Sequence, residues 1–227
     1  MIPREAYEYA LKYGPSDKTR KILCKNPENA YNYAYYIDKK PTMITRKAAC
    51  KDALYAYLYA LLVDKCPRDD TRDAACQNPE FAYKYAENVD KCFRRDTRET
   101  ACKSPHYGWL YAKNIDKKSR RDTRNAACQD SYYAFLYARY VDKKPRNDTR
   151  KVACQDPRMA YLYAKNIDKC PRNDTRRGAY ENPEWAYNYM KNIDKCFHQK
   201  TWEVTKNTEY EKVYNYFLNQ IEKRKII

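Results

Sequence analysis

Glycine is almost missing from this chain, with three residues in 227 against 26 tyrosines. That scarcity argues against glycine-rich phosphate loops, where the backbone must approach a ligand closely, and against folds that need many left-handed turns. Nucleotide-binding α/β enzymes are set aside on that ground. Histidine is as scarce, with only His106 and His198, and no C-x-x-C pair accompanies them. The sequence therefore shows no zinc-ligand spacing, and neither a metal nor a cofactor is expected. Long apolar runs are lacking too: the 43% hydrophobic content is broken throughout by charge, as in a soluble folded chain without membrane spans. The opening residues Met1-Ile2-Pro3-Arg4-Glu5 hold no apolar stretch of the secretory kind, so the expected location is the cytoplasm. Catalysis has little to build on. Four serines lie outside any nucleophile motif, and the acidic residues recur with a period rather than converging, so the chain is not expected to be an enzyme and no small-molecule substrate is evident.

What the sequence does have is a period, and an internal repeat decides architecture before any local assignment. The pattern A-Y-x-Y-A occurs at residues 6–10, 30–34, 56–60, 82–86 and 160–164, with variants at 108–112, 134–138 and 186–190 and a degenerate copy at 213–217. From the second copy to the eighth the step is 26 residues. Each copy is followed by an apolar-Asp pair, from Ile37-Asp38 to Ile193-Asp194, then a loop, then a Thr-Arg pair, from Thr45-Arg46 to Thr175-Arg176.

The copy near residue 160 shows how the unit folds. Asp156 before Pro157 is a side-chain cap followed by a first-turn proline, which starts a helix. Ala160, Tyr163, Ala164 and Ile167 then fall at i, i+3, i+4 and i+7 on one stripe, and the pattern runs out near Asp168-Lys169. After a loop, the next element is a helix of about two turns; in the preceding copy Asp148 before Thr149 reads as its cap. Helices this short are marginal alone, so each unit must bury its stripe against its neighbours. The expected fold is all-α, a right-handed α-solenoid of about eight 26-residue helix-loop-helix repeats. Atypical ends fit that physics: residues 1–25 form an N-terminal cap repeat, 26–201 the regular repeats, and 202–227 a C-terminal capping helix with the basic tail Glu222-Lys223-Arg224-Lys225. All belong to one helical repeat domain.

The unit D-P-x-x-A-Y-x-Y-A-x-x-I-D at residues 156–168 resembles the short Tyr-Ala-rich helical repeats of uncharacterised proteins from large DNA viruses and bacteriophages. The likeness spans nearly the whole chain, although the D-T-R and A-A-C elements depart from it. It implies a viral or phage origin and, with that, a host-interaction role in the host cell cytoplasm. The two-helix design is also similar to tetratricopeptide and Sel1-like repeats, but 26 residues is too short for either and their glycine pattern is missing.

The repeated residues divide into scaffold and candidate site. Arg150 lies four residues before Cys154, on the face of a small residue, so pairing with an Asp such as Asp142 or Asp168 is expected rather than ligand binding. Tyr9, Tyr33, Tyr59, Tyr85, Tyr111, Tyr137, Tyr163, Tyr189 and Tyr216 share the interior stripe and are assigned to the core. The aromatics two residues earlier (Tyr7, Tyr31, Tyr57, Tyr83, Trp109, Phe135, Tyr161, Tyr187) sit beside that stripe, where partial exposure would let them serve as a stacking platform; that binding role is the lesser reading. Cys24, Cys50, Cys76, Cys102, Cys128 and Cys154 recur with the period as small buried hydrophobes, whereas Cys66, Cys92, Cys170 and Cys196 occupy a loop position that holds lysine in other copies.

Charge is the remaining signal. The loop stretches 39–46, 65–72, 91–98, 117–124, 143–150 and 169–176 together carry +16, as much as the whole chain, and +10 once the Asp before each is included. In a regular solenoid these loops share one side, which makes a basic edge. The candidates for an anionic partner are Lys39, Lys40, Lys65, Arg68, Lys91, Arg94, Arg95, Lys117, Lys118, Arg120, Arg121, Lys143, Lys144, Arg146, Lys169 and Arg172. Two functions follow: a non-catalytic scaffold that docks a protein partner, or a nucleic-acid binder that uses the basic edge.

Overall fold

A computed structural model describes residues 1–225, with side chains as far as residue 220. The side chains of the basic tail at 222–225 lie outside the described residues, and so does the remainder of that tail. Every regular element among the described residues is a helix, and the helices follow one another in pairs as an α-helical repeat solenoid. Two compact units are formed, Met1–Asp116 and Lys117–Ile227. Within each, a long helix packs on the short helices beside it in sequence and on the long helix of the adjoining repeat.

The long helices begin as their sequence dictates. Asn26, Asp52, Asn78, Asp130, Asp156 and Asn182 cap them by accepting a backbone N–H one turn on, and Pro27, Pro79, Pro157 and Pro183 fill the first helical position, where the missing N–H costs nothing. Halfway along, the seven long helices between the first, Pro3–Tyr13, and the last, Tyr210–Lys225, change winding. Pro157–Tyr163 is α-helix and Ala164–Asp168 is π-helix, and the same change recurs from Tyr33–Asp38 to Met190–Asp194. This change has a geometric consequence. Residues five apart point about 140° away from each other on an α-helix, at 3.6 residues per turn. A π-turn, with its i→i+5 bonds and about 4.4 residues per turn, reduces that to roughly 50°. Tyr163 and Asp168 therefore face the same short helix. The π-segment ends on a lysine in the left-handed region, Lys169 at φ 56°, whose N–H donates to the Ala164 carbonyl at 2.8 Å.

The core follows the tyrosine stripe with two corrections. Tyr33, Tyr59, Tyr85, Tyr111, Tyr137, Tyr163 and Tyr189 are fully buried among alanines such as Ala34, Ala60 and Ala164. Tyr9, placed in the core from its register, is 46% exposed, since it lies in the first helix, Pro3–Tyr13, where the described residues include no preceding short helix to receive it. At the other end Tyr214 is fully buried and Tyr216 is exposed, because the last helix enters one residue short of a full period after Tyr189.

Among the flanking aromatics Tyr7 and Trp109 are partly exposed, but the other six are not. Tyr31, Tyr57, Tyr83, Phe135, Tyr161 and Tyr187 are buried rather than partly exposed. Several are covered by an aromatic from the first turn of the next long helix: Tyr57 meets Phe81 at 6.2 Å, Tyr83 meets Tyr107 at 6.0 Å, and Tyr161 meets Trp185 at 5.6 Å between ring centroids. The next repeat also sends an amide to the phenol, as when Asn192 donates to Tyr161 Oη at 3.0 Å. The second aromatic stripe thus joins repeat to repeat and offers no open stacking platform. Glycine matters at one close approach: a Cβ on Gly178 would stand 2.6 Å from the Cys154 carbonyl oxygen, where other copies hold Ala74 or Ala126.

Candidate functional site

Most of the repeated polar chemistry is consumed by the scaffold. In the type repeat the Tyr163 hydroxyl lies 2.9 Å from Thr149 Oγ1, donates toward the Arg146 carbonyl at 3.1 Å, and accepts the Arg146 N–H at 3.0 Å. One phenol thereby satisfies the turn that opens the short helix Asn147–Ala153. The neighbouring Arg150 pairs with Asp168 at 3.1 Å and lies 5.7 Å from the centroid of the Tyr163 ring. The tyrosine-threonine bond recurs from Tyr33 with Thr19 to Tyr189 with Thr175 at 2.7–2.9 Å. The arginine-aspartate pair recurs from Arg20 with Asp38 to Arg176 with Asp194 at 2.7–3.7 Å, and each of these carboxylates is at most 2% exposed. Arg150 was expected to pair with Asp142 or Asp168, and Asp168 is its partner; Asp142 serves Arg124 and Arg146.

Burial and pairing pull these groups in opposite directions. The Asp168 carboxyl is pushed above the ordinary range because desolvation outweighs the attraction of Arg150. The Arg176 guanidinium is pushed up, first by its hydrogen bond to Asp194.

The loops are a different environment. Lys39, Lys65, Lys91, Lys117, Lys143 and Lys169 all adopt φ between 51° and 56° and are exposed. With the adjoining Lys40, Lys118 and Lys144, also exposed, they have no ion-pair partner among the described residues. The arginines are less uniform. Arg94 and Arg121 are exposed, and Arg120 is half-buried. Arg68 approaches Asp70 at 3.8 Å, and Arg95 pairs with Glu99 at 2.7 Å. Arg146 and Arg172 turn back to the buried Asp142 and Asp168 at 3.1 and 3.4 Å, so part of their charge serves the scaffold. Lys195 belongs with the lysines, at φ 56° and exposed. Its signal in the sequence was the Ile193-Asp194 pair before it, in the register of Ile167-Asp168-Lys169.

The cap of the short helices also departs from expectation. Asp148 is the second helical residue, its carboxylate taking the N–H of Thr149 at 2.8 Å, and the capping position belongs to Arg146. Only the first two copies use a capping side chain there, Ser16 and Thr42; later copies place Arg68, Arg94, Arg120, Arg146 and Arg172, none of which makes a side-chain cap.

All ten cysteines are free thiols. The periodic set is half-buried rather than fully buried, and desolvation pushes Cys24, Cys76 and Cys128 up to about 11 and Cys50 and Cys154 up to about 12. Cys66, Cys92, Cys170 and Cys196 are exposed. A thiol-disulfide reagent at neutral pH is expected to titrate those four quickly and the periodic set much more slowly, because the thiolate is the nucleophile. Uniform fast reaction of all ten would contradict this placement. Cys154 borders an open depression of about 580 Å³ between the short helices Asn147–Ala153 and Asn173–Ala179, lined also by Lys151, Gln155, Arg177, Gly178 and Glu181.

No family model, curated protein or solved structure matches the chain. Among the described residues no group of three or more His, Cys, Asp or Glu side chains is placed to hold a metal ion, and no helix is long and apolar enough to cross a membrane.

Proposed function

We propose that this protein is a non-catalytic helical-repeat scaffold that binds a macromolecular partner, and that the interhelix loops are its contact surface. One observation carries the reading. The repeated tyrosines, threonines, arginines and aspartates are spent on internal bonds, while the loop lysines are exposed and unpaired among the described residues. Charge held in that way is available to an anionic partner. A protein partner is the first reading, since repeat stacks offer extended surfaces to other proteins, and a role in host interaction rests on the resemblance to viral and phage repeats. Nucleic acid is the second, favoured by the predominance of lysine at the exposed positions. The proposed setting is the cytoplasm.

The test reverses the densest loop cluster, Lys117→Glu, Lys118→Glu, Arg120→Glu and Arg121→Glu. Binding is followed by fluorescence anisotropy at about 150 mM salt, with labelled poly-glutamate, duplex DNA and single-stranded RNA as probes. The parent is expected to bind at least one polyanion with micromolar or tighter affinity and the variant at least ten-fold more weakly. Failure of the parent to bind any of them would remove the loops as an anionic contact surface.

A further inference from the structure

Two positions flank each interhelix loop, and in five copies the residues found at both, lysine and arginine, are not the ones that local backbone geometry favours. The first is the left-handed position that ends the long helix, where glycine or asparagine fits best because an L side chain crowds the following carbonyl, at a cost of roughly 1–2 kcal/mol. Here it is lysine in all seven copies, from Lys39 at φ 51° to Lys195 at φ 56°. The second is the cap of the short helix, where Ser, Thr, Asp or Asn is worth about 1 kcal/mol over residues that cannot cap. Ser16 and Thr42 meet that preference; the next five copies hold arginine with no side-chain cap, and there the threonine N–H is taken by the aspartate before it, at 2.7–2.9 Å.

A lysine at a helix C-terminus does gain from the helix dipole, by about 0.3–1 kcal/mol. That gain offsets part of the left-handed strain at best, and it does nothing for the arginines. An arginine at a helix N-terminus is on the wrong side of the same dipole. Both residues are cations, both border the same loop, and Lys65, Lys91 and Arg94 are exposed, as is Arg68 beside Asp70 at 3.8 Å. Lysine holds the left-handed position against local propensity in all seven copies and is exposed in each. Arginine holds the cap position in five, exposed at Arg68 and Arg94 but half-buried at Arg120 and shared with Asp142 and Asp168 at Arg146 and Arg172. Departures from local propensity are the mark of a functional position.

We infer that, within each compact unit, these positions form a ladder for the phosphodiester backbone of a nucleic acid, bound without regard to sequence. This rests on the reading of the loops as an anionic contact surface and names the class of anion. Repetition at one register suits a polymer whose charge also repeats, as phosphate does in every nucleotide. Lysine supplies a point charge on a flexible stem, which suits phosphate contact without the fixed fork that reads a base edge. The aromatic stripes that would stack bases are closed by the neighbouring repeats, with Tyr57 and Tyr83 at most 8% exposed. Recognition therefore stops at the backbone, and duplex and single strand are both ligands.

The experiment substitutes the ladder of the first unit by the residues its backbone prefers: Lys39→Asn, Lys65→Asn, Lys91→Asn, Arg68→Ser and Arg94→Ser in one full-length variant. A control removes exposed cations from short helices instead, Lys21→Gln, Lys47→Gln, Lys151→Gln and Arg177→Gln. Duplex DNA of mixed sequence, single-stranded RNA and poly-glutamate of matched charge are the probes, titrated at several salt concentrations, and thermal unfolding is measured on each protein. The parent's log K is expected to fall linearly with log salt. The ladder variant should bind DNA and RNA at least ten-fold more weakly at about 100 mM salt, with a slope flatter by two or more. Its melting temperature should equal or exceed the parent's, and the control should bind within about three-fold of the parent, since the phosphate contacts lie in the loops. Unchanged nucleic-acid binding in the ladder variant overturns the inference, as does an equal loss in the control. A lower melting temperature overturns it too, by showing that the cations serve the fold. Poly-glutamate bound as tightly as DNA overturns the choice of phosphate but leaves the anionic-surface reading standing; no binding of any probe by the parent removes both.

Discussion

Replacing Arg72 by alanine is expected to lower the unfolding free energy by about 3–5 kcal/mol, the usual consequence of leaving a buried charge without its partner. Arg72 is 4% exposed, donates to both oxygens of Asp90 at 2.9–3.2 Å, and lies 5.6 Å from the centroid of the Tyr85 ring. The Asp90 side chain is fully buried against it. The same change at Arg150 should cost less, because Arg172 also reaches Asp168, at 3.4 Å, and retains some compensation. The double change Arg72→Met with Asp90→Leu should recover most of the loss, since a buried ion pair is worth little against an apolar pair of similar volume. Urea unfolding followed by far-ultraviolet circular dichroism ranks the variants. A cost below about 1 kcal/mol for Arg72→Ala would mean that Asp90 gains water when its partner is lost, and that the pair does not hold the repeat closed.

The arrangement behind that prediction was legible in part. A 26-residue period, proline after Asp or Asn, and a stripe of Ala and Tyr were enough to read two helices per repeat and to assign Arg150 to a scaffold pair. What periodicity did not carry was the π-turn. Nothing in Ala164-Lys165-Asn166-Ile167-Asp168 departs from an ordinary helix end, because winding is set by what Tyr163 and Asp168 must both reach on the short helix. The cap was misplaced by two residues because Asp148 takes the Thr149 N–H from inside the first turn, at 2.8 Å, while the backbone of Arg146 bonds the phenol of a residue seventeen positions later. Burial of the second aromatic stripe was hidden because its cover, Phe81 on Tyr57 or Trp185 on Tyr161, comes from another repeat. Loop charge was visible as a sum, but its sorting was not. Which cations are spent on Asp142 and Asp168, and which sit unpaired in a left-handed turn, depends on backbone geometry.

Alkaline pH is expected to unfold the protein cooperatively between about pH 9 and 12, and the cause lies in the same buried groups. Ordinary thiols lose their proton near pH 8.5 and phenols near 10. Burial raises both kinds in the folded chain. Cys24, Cys76 and Cys128 reach about 11, Cys50 and Cys154 about 12, and the hydroxyls of Tyr59, Tyr85, Tyr111, Tyr137, Tyr163 and Tyr189 are all raised, first by desolvation. The folded state therefore holds these protons more tightly than the unfolded state does. Stability from this source is fully present below the unfolded thiol value and is lost as pH climbs from there through the folded values, by up to about 1.4 kcal/mol per pH unit for each group involved. Many groups titrating over one window make the loss steep. A pH titration that records far-ultraviolet circular dichroism together with tyrosinate absorbance checks it: the buried phenols should ionise in step with the loss of helicity. Replacing Cys50 and Cys154 by alanine should move the onset upward, because two of the thiols that ionise first in the unfolded chain are gone. Helicity that survives to pH 12, or phenols that ionise fully while the helices remain intact, would show that water reaches these side chains and that the tyrosine stripe is not the sealed core its burial describes.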